Sequence, residues 1–174
     1  MMMSLLIASN SGQPSFKDMS RWTISKPFKL SSIFPQRHML TARYGESGRF
    51  RLHYDWLPDN LPSLRHSGNR LSSFFVYLSA DCEGGTTVFP GIMRQKHESL
   101  CEFLRCRNEN GTELKWIEVA PKLGTALFWY NIEPTGEVDM KTLHAGSMVT
   151  SGTKIGLNIW TRERSWRDPI GRNV

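Results

Sequence analysis

Cysteine is scarce in this 174-residue sequence: Cys82, Cys101 and Cys106 are the only three. That number excludes a disulfide-dense scaffold, and their spacing matches no cysteine-rich metal module. Long apolar runs are also missing. None approaches the roughly 20 residues that a membrane-spanning helix needs, so no transmembrane segment is expected. The opening Leu5-Leu6-Ile7-Ala8 has no basic residue before it and falls short of a secretory signal core. Blocks of like charge are absent too. The net charge of +6 is spread over 22 Lys and Arg against 16 Asp and Glu, which argues against a basic arm for nucleic acid.

What remains is one domain's length of ordinary globular composition. Residues 1–37 are rich in Ser, Lys and Pro with neither strand nor helix periodicity, and are read as a poorly ordered or partial leader. Residues 38–165 form the domain, and 166–174 a tail. From His38 onward, short β-type runs alternate with turn residues, which predicts a mainly β fold with few short helices. The expected strands are Met39 to Tyr44, Phe50 to Leu57, Ser72 to Leu78, Thr86 to Phe89, Leu114 to Val119, Thr125 to Tyr130 and Thr153 to Thr161. The polar stretch from Pro90 to Asn110 reads as an insertion with one helical turn. For Cys101 and Cys106, a disulfide and a pair of free thiols both remain open.

His53-Tyr54-Asp55 lies inside an expected strand, where residues two apart project from one face. Both side chains then reach one metal ion. Two histidines and one carboxylate leave positions open on a ferrous ion, so a second histidine is required. Downstream, His144 in Leu143-His144-Ala145-Gly146 is followed ten residues later by Lys154 in Gly152-Thr153-Lys154-Ile155-Gly156. A strand, turn and returning strand fit that interval. Such a hairpin brings His144 to the metal and Lys154 to an anion beside it. A lysine in an apolar strand calls for a partner, because burying an unpaired charge is costly; the alternative is a side chain that snorkels to water. His38, His66 and His97 have no such companions and are assigned no role.

Further ordered pieces accompany these residues: Tyr44 nine positions before His53, Asn69-Arg70 before Phe75-Val76-Tyr77-Leu78-Ser79, and Glu83-Gly84-Gly85-Thr86-Thr87-Val88-Phe89-Pro90. Pro121-Lys122-Leu123-Gly124-Thr125-Ala126-Leu127-Phe128-Trp129 and Pro134-Thr135-Gly136-Glu137-Val138-Asp139 complete the set. From Met39 to Trp160 the sequence resembles the prolyl 4-hydroxylase family of 2-oxoglutarate- and Fe(II)-dependent dioxygenases. The resemblance implies a double-stranded β-helix, or jelly roll, with the site inside its open end. It implies His53, Asp55 and His144 as catalytic iron ligands and Lys154 as partner of the distal 2-oxoglutarate carboxylate. Tyr44 and Thr87 become hydroxyl donors to that cosubstrate, and Arg70 and Trp160 residues of a peptide groove. Tyr44 and Trp160 also fit a plain core role, since aromatic residues in strands are usually packed inside.

The implied reaction couples oxidative decarboxylation of 2-oxoglutarate, with O2, to hydroxylation of a proline-rich polypeptide, and L-ascorbate keeps the iron ferrous. Phe50 departs from the family, whose collagen-hydroxylating members often carry Tyr there, and only about 40 residues precede Tyr44, where the family has further elements. Two rivals are a related oxygenase acting on another residue or on nucleic acid, and a catalytically silent jelly-roll interaction domain. Lys154 argues against the nucleic-acid members, which generally anchor 2-oxoglutarate with arginine. Asn110-Gly111-Thr112 is a glycosylation sequon, consistent with the endoplasmic reticulum, where the collagen-type relatives work.

Overall fold

The computed structural model describes residues 6–8 and 39–164. Within them the chain forms β1 (Leu6–Ala8), β2 (Met39–Tyr44), β3 (Phe50–His53), a single helical turn α1 (Leu64–Ser67), β4 (Arg70–Gly84), β5 (Thr87–Met93), β6 (Trp116–Val119), β7 (Ala126–Tyr130), β8 (His144–Gly146) and β9 (Val149–Arg162). The expected mainly β jelly roll is what these strands build. One antiparallel sheet has the order β1-β7-β4-β9-β2 and the other β3-β8-β5-β6.

Period-two alternation decides which side chains lie between the sheets. In β4, Phe75 and Tyr77 point inward and Phe74, Val76 and Leu78 outward; in β7, Leu127 and Trp129 are the inward pair. These four join Phe89, Leu104 and Val119 in one buried cluster. Truncating one such aromatic costs about 3–5 kcal/mol, a large share of a typical domain's stability. Gly156 in β9 belongs to the same packing. A Cβ there would lie 2.3 Å from the Phe75 ring, so the ring's position requires glycine.

The two longest strands, β4 and β9, pair from Arg70 with Arg162 to Gly84 with Val149. Gly84 and Gly85, at φ +70° and +64°, then turn the chain out of the larger sheet and into β5 of the smaller one. Both conformations lie in the left-handed region that glycine adopts without strain.

Several expectations change. β3 ends at His53 and does not continue to Leu57. The Asn69 side chain holds both the N–H and the C=O of Leu57, at 2.9 and 2.7 Å, so those groups have partners outside any ladder. β5 continues through Pro90 to Met93, because a register shift between Phe89 and Met93 absorbs the proline's missing donor. The hairpin expected between His144 and Lys154 is not one: β8 pairs with β3 and β5, whereas β9 pairs with β4 and β2. The chain therefore changes sheets at Ser147-Met148. Finally, Leu6–Ala8 of the leader forms an edge strand on β7. The rest of residues 1–37, His38 and the tail 166–174 lie outside the described residues.

The insertion after β5 has its one helical turn, a 3-10 turn at Glu98–Glu102. Cys101 and Cys106 are joined by a disulfide, with Cα atoms 5.6 Å apart.

Candidate metal and cosubstrate site

Strands from both sheets converge on one cleft of about 190 Å³, lined by all eight residues singled out above.

His53 at the end of β3, Asp55 in the bend that follows and His144 at the start of β8 bring one ligand atom each within 4.8 Å of one another. His53 Nε2 stands 3.7 Å from Asp55 Oδ1, and His144 Nε2 stands 3.9 Å from Asp55 Oδ2. Pairing of β3 with β8 is what unites them, since His53 lies directly opposite His144. Asp55 reaches the group without being in the strand. Each imidazole has its Nδ1 beside the carbonyl two residues earlier: His53 with Arg51 O and His144 with Thr142 O, both at 2.8 Å. Donation from Nδ1–H to those carbonyls leaves Nε2 as the bare nitrogen facing the carboxylate.

Burial pushes the His144 pKa below the ordinary imidazole value against the pull of Asp55, with His53 adding to the lowering. The ring is packed on Phe89 and Trp129, at centroid distances of 5.4 and 4.9 Å. A neutral imidazole is the form that binds a cation. Asp55 is 3% exposed, with the Arg70 guanidinium beside it. Two histidines and a carboxylate on one side of a small space make a donor set that fits a divalent metal and leaves its other positions open.

Lys154 is the second charged group of the cleft. It is 2% exposed, and its Nζ donates to Gly85 O at 2.6 Å. The ammonium lies 4.8 Å from the Tyr44 ring centre, and Tyr44 is its cross-strand partner. Desolvation lowers its pKa to about 8, only partly opposed by Cys82. Lys154 therefore does not snorkel: it is an inward cation with one neutral hydrogen-bond partner among the described residues, a setting that favours an anionic ligand. Burial raises the Tyr44 pKa and keeps its phenol protonated as a donor. Thr87 Oγ1 shares a 2.7 Å hydrogen bond with Tyr77 Oη, whose own pKa burial also pushes up.

At the opposite side of the cleft, Arg70 stacks on Trp160, its guanidinium carbon 3.8 Å from the indole centre. Its Nη1 lies 3.5 Å from Asp55 Oδ1. Arg70 Nε and Trp160 Nε1 are buried donors with no partner among the described residues, which equips this wall to bind a ligand carrying acceptors. Phe50 sets its ring edge-on to His53 at 4.5 Å.

Sequence reasoning missed Leu40, Ala42, Phe75 and Asn158, which also line the cleft. The signal was available in part: Leu40 and Ala42 lie at two-residue steps from Tyr44, and Asn158 lies between Lys154 and Trp160 on the inner face of β9. It also passed over Ser73 and Asn131, for which no local pattern speaks.

The chain is similar to known proteins over the region that holds this cleft. Residues 39–162 match the family model described as the 2OG-Fe(II) oxygenase superfamily. The chain is 35% identical over 127 residues to prolyl 4-hydroxylase subunit alpha-1 of Gallus gallus, covering 71% of this chain and 20% of that protein. It is 36% identical over 134 residues to subunit alpha-2 of the same organism, covering 75% and 21%. It thus spans about a fifth of the length of these curated relatives. Among solved structures, a viral collagen prolyl hydroxylase from Paramecium Bursaria Chlorella virus-1, in complex with 2OG, matches with 31% identity and a TM-score of 0.49, over 71% of this chain and 57% of that one. With the matched region running from the start of β2 to the end of β9 and enclosing the whole cleft, the chain belongs to the 2OG-Fe(II) oxygenase superfamily.

Proposed function

We propose that this domain is the catalytic unit of a prolyl 4-hydroxylase that binds Fe(II) through His53, Asp55 and His144 and acts on proline-rich polypeptides. The observation that carries the reading is the meeting of those three side chains, at distances of 3.7 and 3.9 Å across Asp55, in the same cleft as the buried ammonium of Lys154. When bound, iron with 2-oxoglutarate and O2 supplies an oxidant that hydroxylates a C–H bond while the cosubstrate loses carbon dioxide and becomes succinate.

The residues of the chain supply position and charge. Lys154 pairs with the distal carboxylate of 2-oxoglutarate, and the protonated hydroxyl of Tyr44, together with Thr87, donates hydrogen bonds to it. Trp160 and Arg70 form one wall of an extended-peptide groove, and their two N–H groups without a partner among the described residues suit peptide carbonyls. Leu40, Ala42 and Phe50 provide apolar contact for a pyrrolidine ring and exclude water from the reacting carbon. L-ascorbate serves to keep the metal ferrous. An exposed Asn110 in its sequon and the nearby Cys101–Cys106 disulfide support the oxidising lumen of the endoplasmic reticulum as its place of action.

Purified protein with Fe(II) and 2-oxoglutarate is expected to release succinate in proportion to added proline-rich peptide, with a 16 Da gain on the peptide (one oxygen, ~16 Da by mass). His144→Ala is the inactive control. Absence of turnover on every peptide of a broad panel would overturn the assignment of substrate.

A further inference from the structure

Asp55 gives a metal its only negative ligand, yet it sits in a bend outside β3 and no strand ladder fixes it. Its carboxylate is held from the other sheet instead. Ser73 in β4 donates its hydroxyl to Asp55 Oδ2 at 2.5 Å. Ser73 in turn accepts a 3.0 Å hydrogen bond from Asn131 Nδ2, just past β7. The second Asn131 Nδ2 hydrogen goes to Arg70 O, also at 3.0 Å. That pair of contacts settles the amide's orientation, because a flipped amide would set its oxygen against the Arg70 carbonyl. Asn131 is 0% exposed and Ser73 is 1% exposed, so water does not compete for either.

The main chain of Asn131 reaches the opposite ligand. Its N–H donates to Leu71 O at 2.8 Å and its carbonyl accepts from Asp139 N at 3.0 Å. Asp139 O takes both the N–H and the hydroxyl of Thr142, at 3.0 and 2.7 Å. Thr142 O is the acceptor that orients His144 Nδ1. One buried asparagine therefore lies at the head of two hydrogen-bond chains, one ending on Asp55 and the other on His144.

We infer that Ser73 and Asn131 are positioning residues for the metal centre: they hold the Asp55 carboxylate and the His144 ring in register, and so set metal affinity, without touching the metal. This rests on the assignment of His53, Asp55 and His144 as metal ligands. The hydroxyl of Ser73 satisfies Oδ2 in a buried site while Oδ1 stays turned toward His53 and Arg70. The Asn131 amide orients that hydroxyl so that its proton points at Oδ2.

The test is Co(II) titration of the full chain under anaerobic conditions, read by the cobalt absorption band and by calorimetry, with thermal unfolding of the metal-free protein alongside. Ser73→Ala is expected to weaken Co(II) binding by about 10- to 100-fold, the usual effect of losing such an outer partner, and to alter the band shape. Ser73→Thr, which keeps the hydroxyl, is expected to recover most of the affinity. Asn131→Ala, which keeps the main-chain bonds and acts on Asp55 only through Ser73, should weaken binding by no more than Ser73→Ala does. Thr125→Val is the control: Thr125 is equally buried, and its hydroxyl has no partner among the described residues. It should leave Co(II) affinity unchanged.

Ser73→Cys, a weaker donor, replaces Ser73→Ala if that variant does not fold. A lowered unfolding temperature with unchanged Co(II) affinity in the Ser73 variants makes the role merely structural and overturns the inference. Wild-type protein that fails to bind Co(II) sinks the metal-site reading itself; wild-type binding matched by Ser73→Ala sinks only this one.

Discussion

Lys154 holds its ammonium 2.6 Å from the carbonyl of Gly85, in a cleft it shares with Asp55 and the two histidines. Gly85 can offer that carbonyl because its own φ of +64° turns the chain there, and a Cβ at that position would lie 3.4 Å from Lys154 Cδ.

The first prediction concerns pH. With its pKa lowered to about 8, the free amine loses its proton as pH rises through that value. Binding a carboxylate then requires proton uptake, so 2-oxoglutarate affinity should fall up to about tenfold per pH unit above 8. Lys154→Arg should show no such decline, because guanidinium stays charged. Lys154→Ala should weaken 2-oxoglutarate binding by about 100-fold, on the scale of a lost charge-assisted hydrogen bond. Calorimetric titration from pH 6.5 to 9.5 in the presence of Mn(II) reads all three, and a flat wild-type profile would contradict the assigned role.

A second prediction separates metal binding from folding. His144→Gln should abolish tight Mn(II) binding, while the metal-free variant still unfolds cooperatively. The wild-type protein should gain thermal stability on adding Mn(II), as any ligand of the native state requires, and lose that gain with chelator. Equal unfolding temperatures with and without metal would count against a site at His53, Asp55 and His144.

The stacked pair of Arg70 and Trp160 supplies a third. Arg70→Ala removes a guanidinium from the indole face, a contact worth about 0.5–2 kcal/mol, and exposes the groove wall. The expected result is a several-fold rise in KM for peptide with little change in KM for 2-oxoglutarate. Because Arg70 also approaches Asp55, Trp160→Phe is the companion variant: it removes the Nε1 donor, which has no partner among the described residues, but keeps an aromatic face. A change confined to 2-oxoglutarate kinetics would remove both residues from the peptide groove.

Cysteine chemistry gives the fourth. Closing so short a loop, with a sequence separation of 5, stabilises by about 2 kcal/mol in the chain-entropy account. Cys101→Ser with Cys106→Ser should therefore lower the unfolding temperature by several degrees and leave Mn(II) and 2-oxoglutarate binding intact, since neither cysteine lines the cleft. In material from a secretory host, glycosidase treatment should also shift the intact mass if Asn110 carries a glycan.

The sequence by itself carried the β class and the residue types of the site. Which side chains turn inward was not legible in Phe74 to Leu78, because every residue of that run is apolar; the packing of the two sheets chose Phe75 and Tyr77. Strand ends were less legible, because β3 stops where Asn69, a residue distant in sequence, captures the backbone of Leu57. Only the tertiary structure could decide that His144 and Lys154 lie in different sheets. Sheet membership depends on which strands pair, and that is settled by long-range packing, not by the ten-residue interval between them. For the same reason Ser73 and Asn131 read as ordinary polar residues until β4 and the end of β7 bring them against Asp55. A hydrogen-bond chain across three segments has no signature in any one of them.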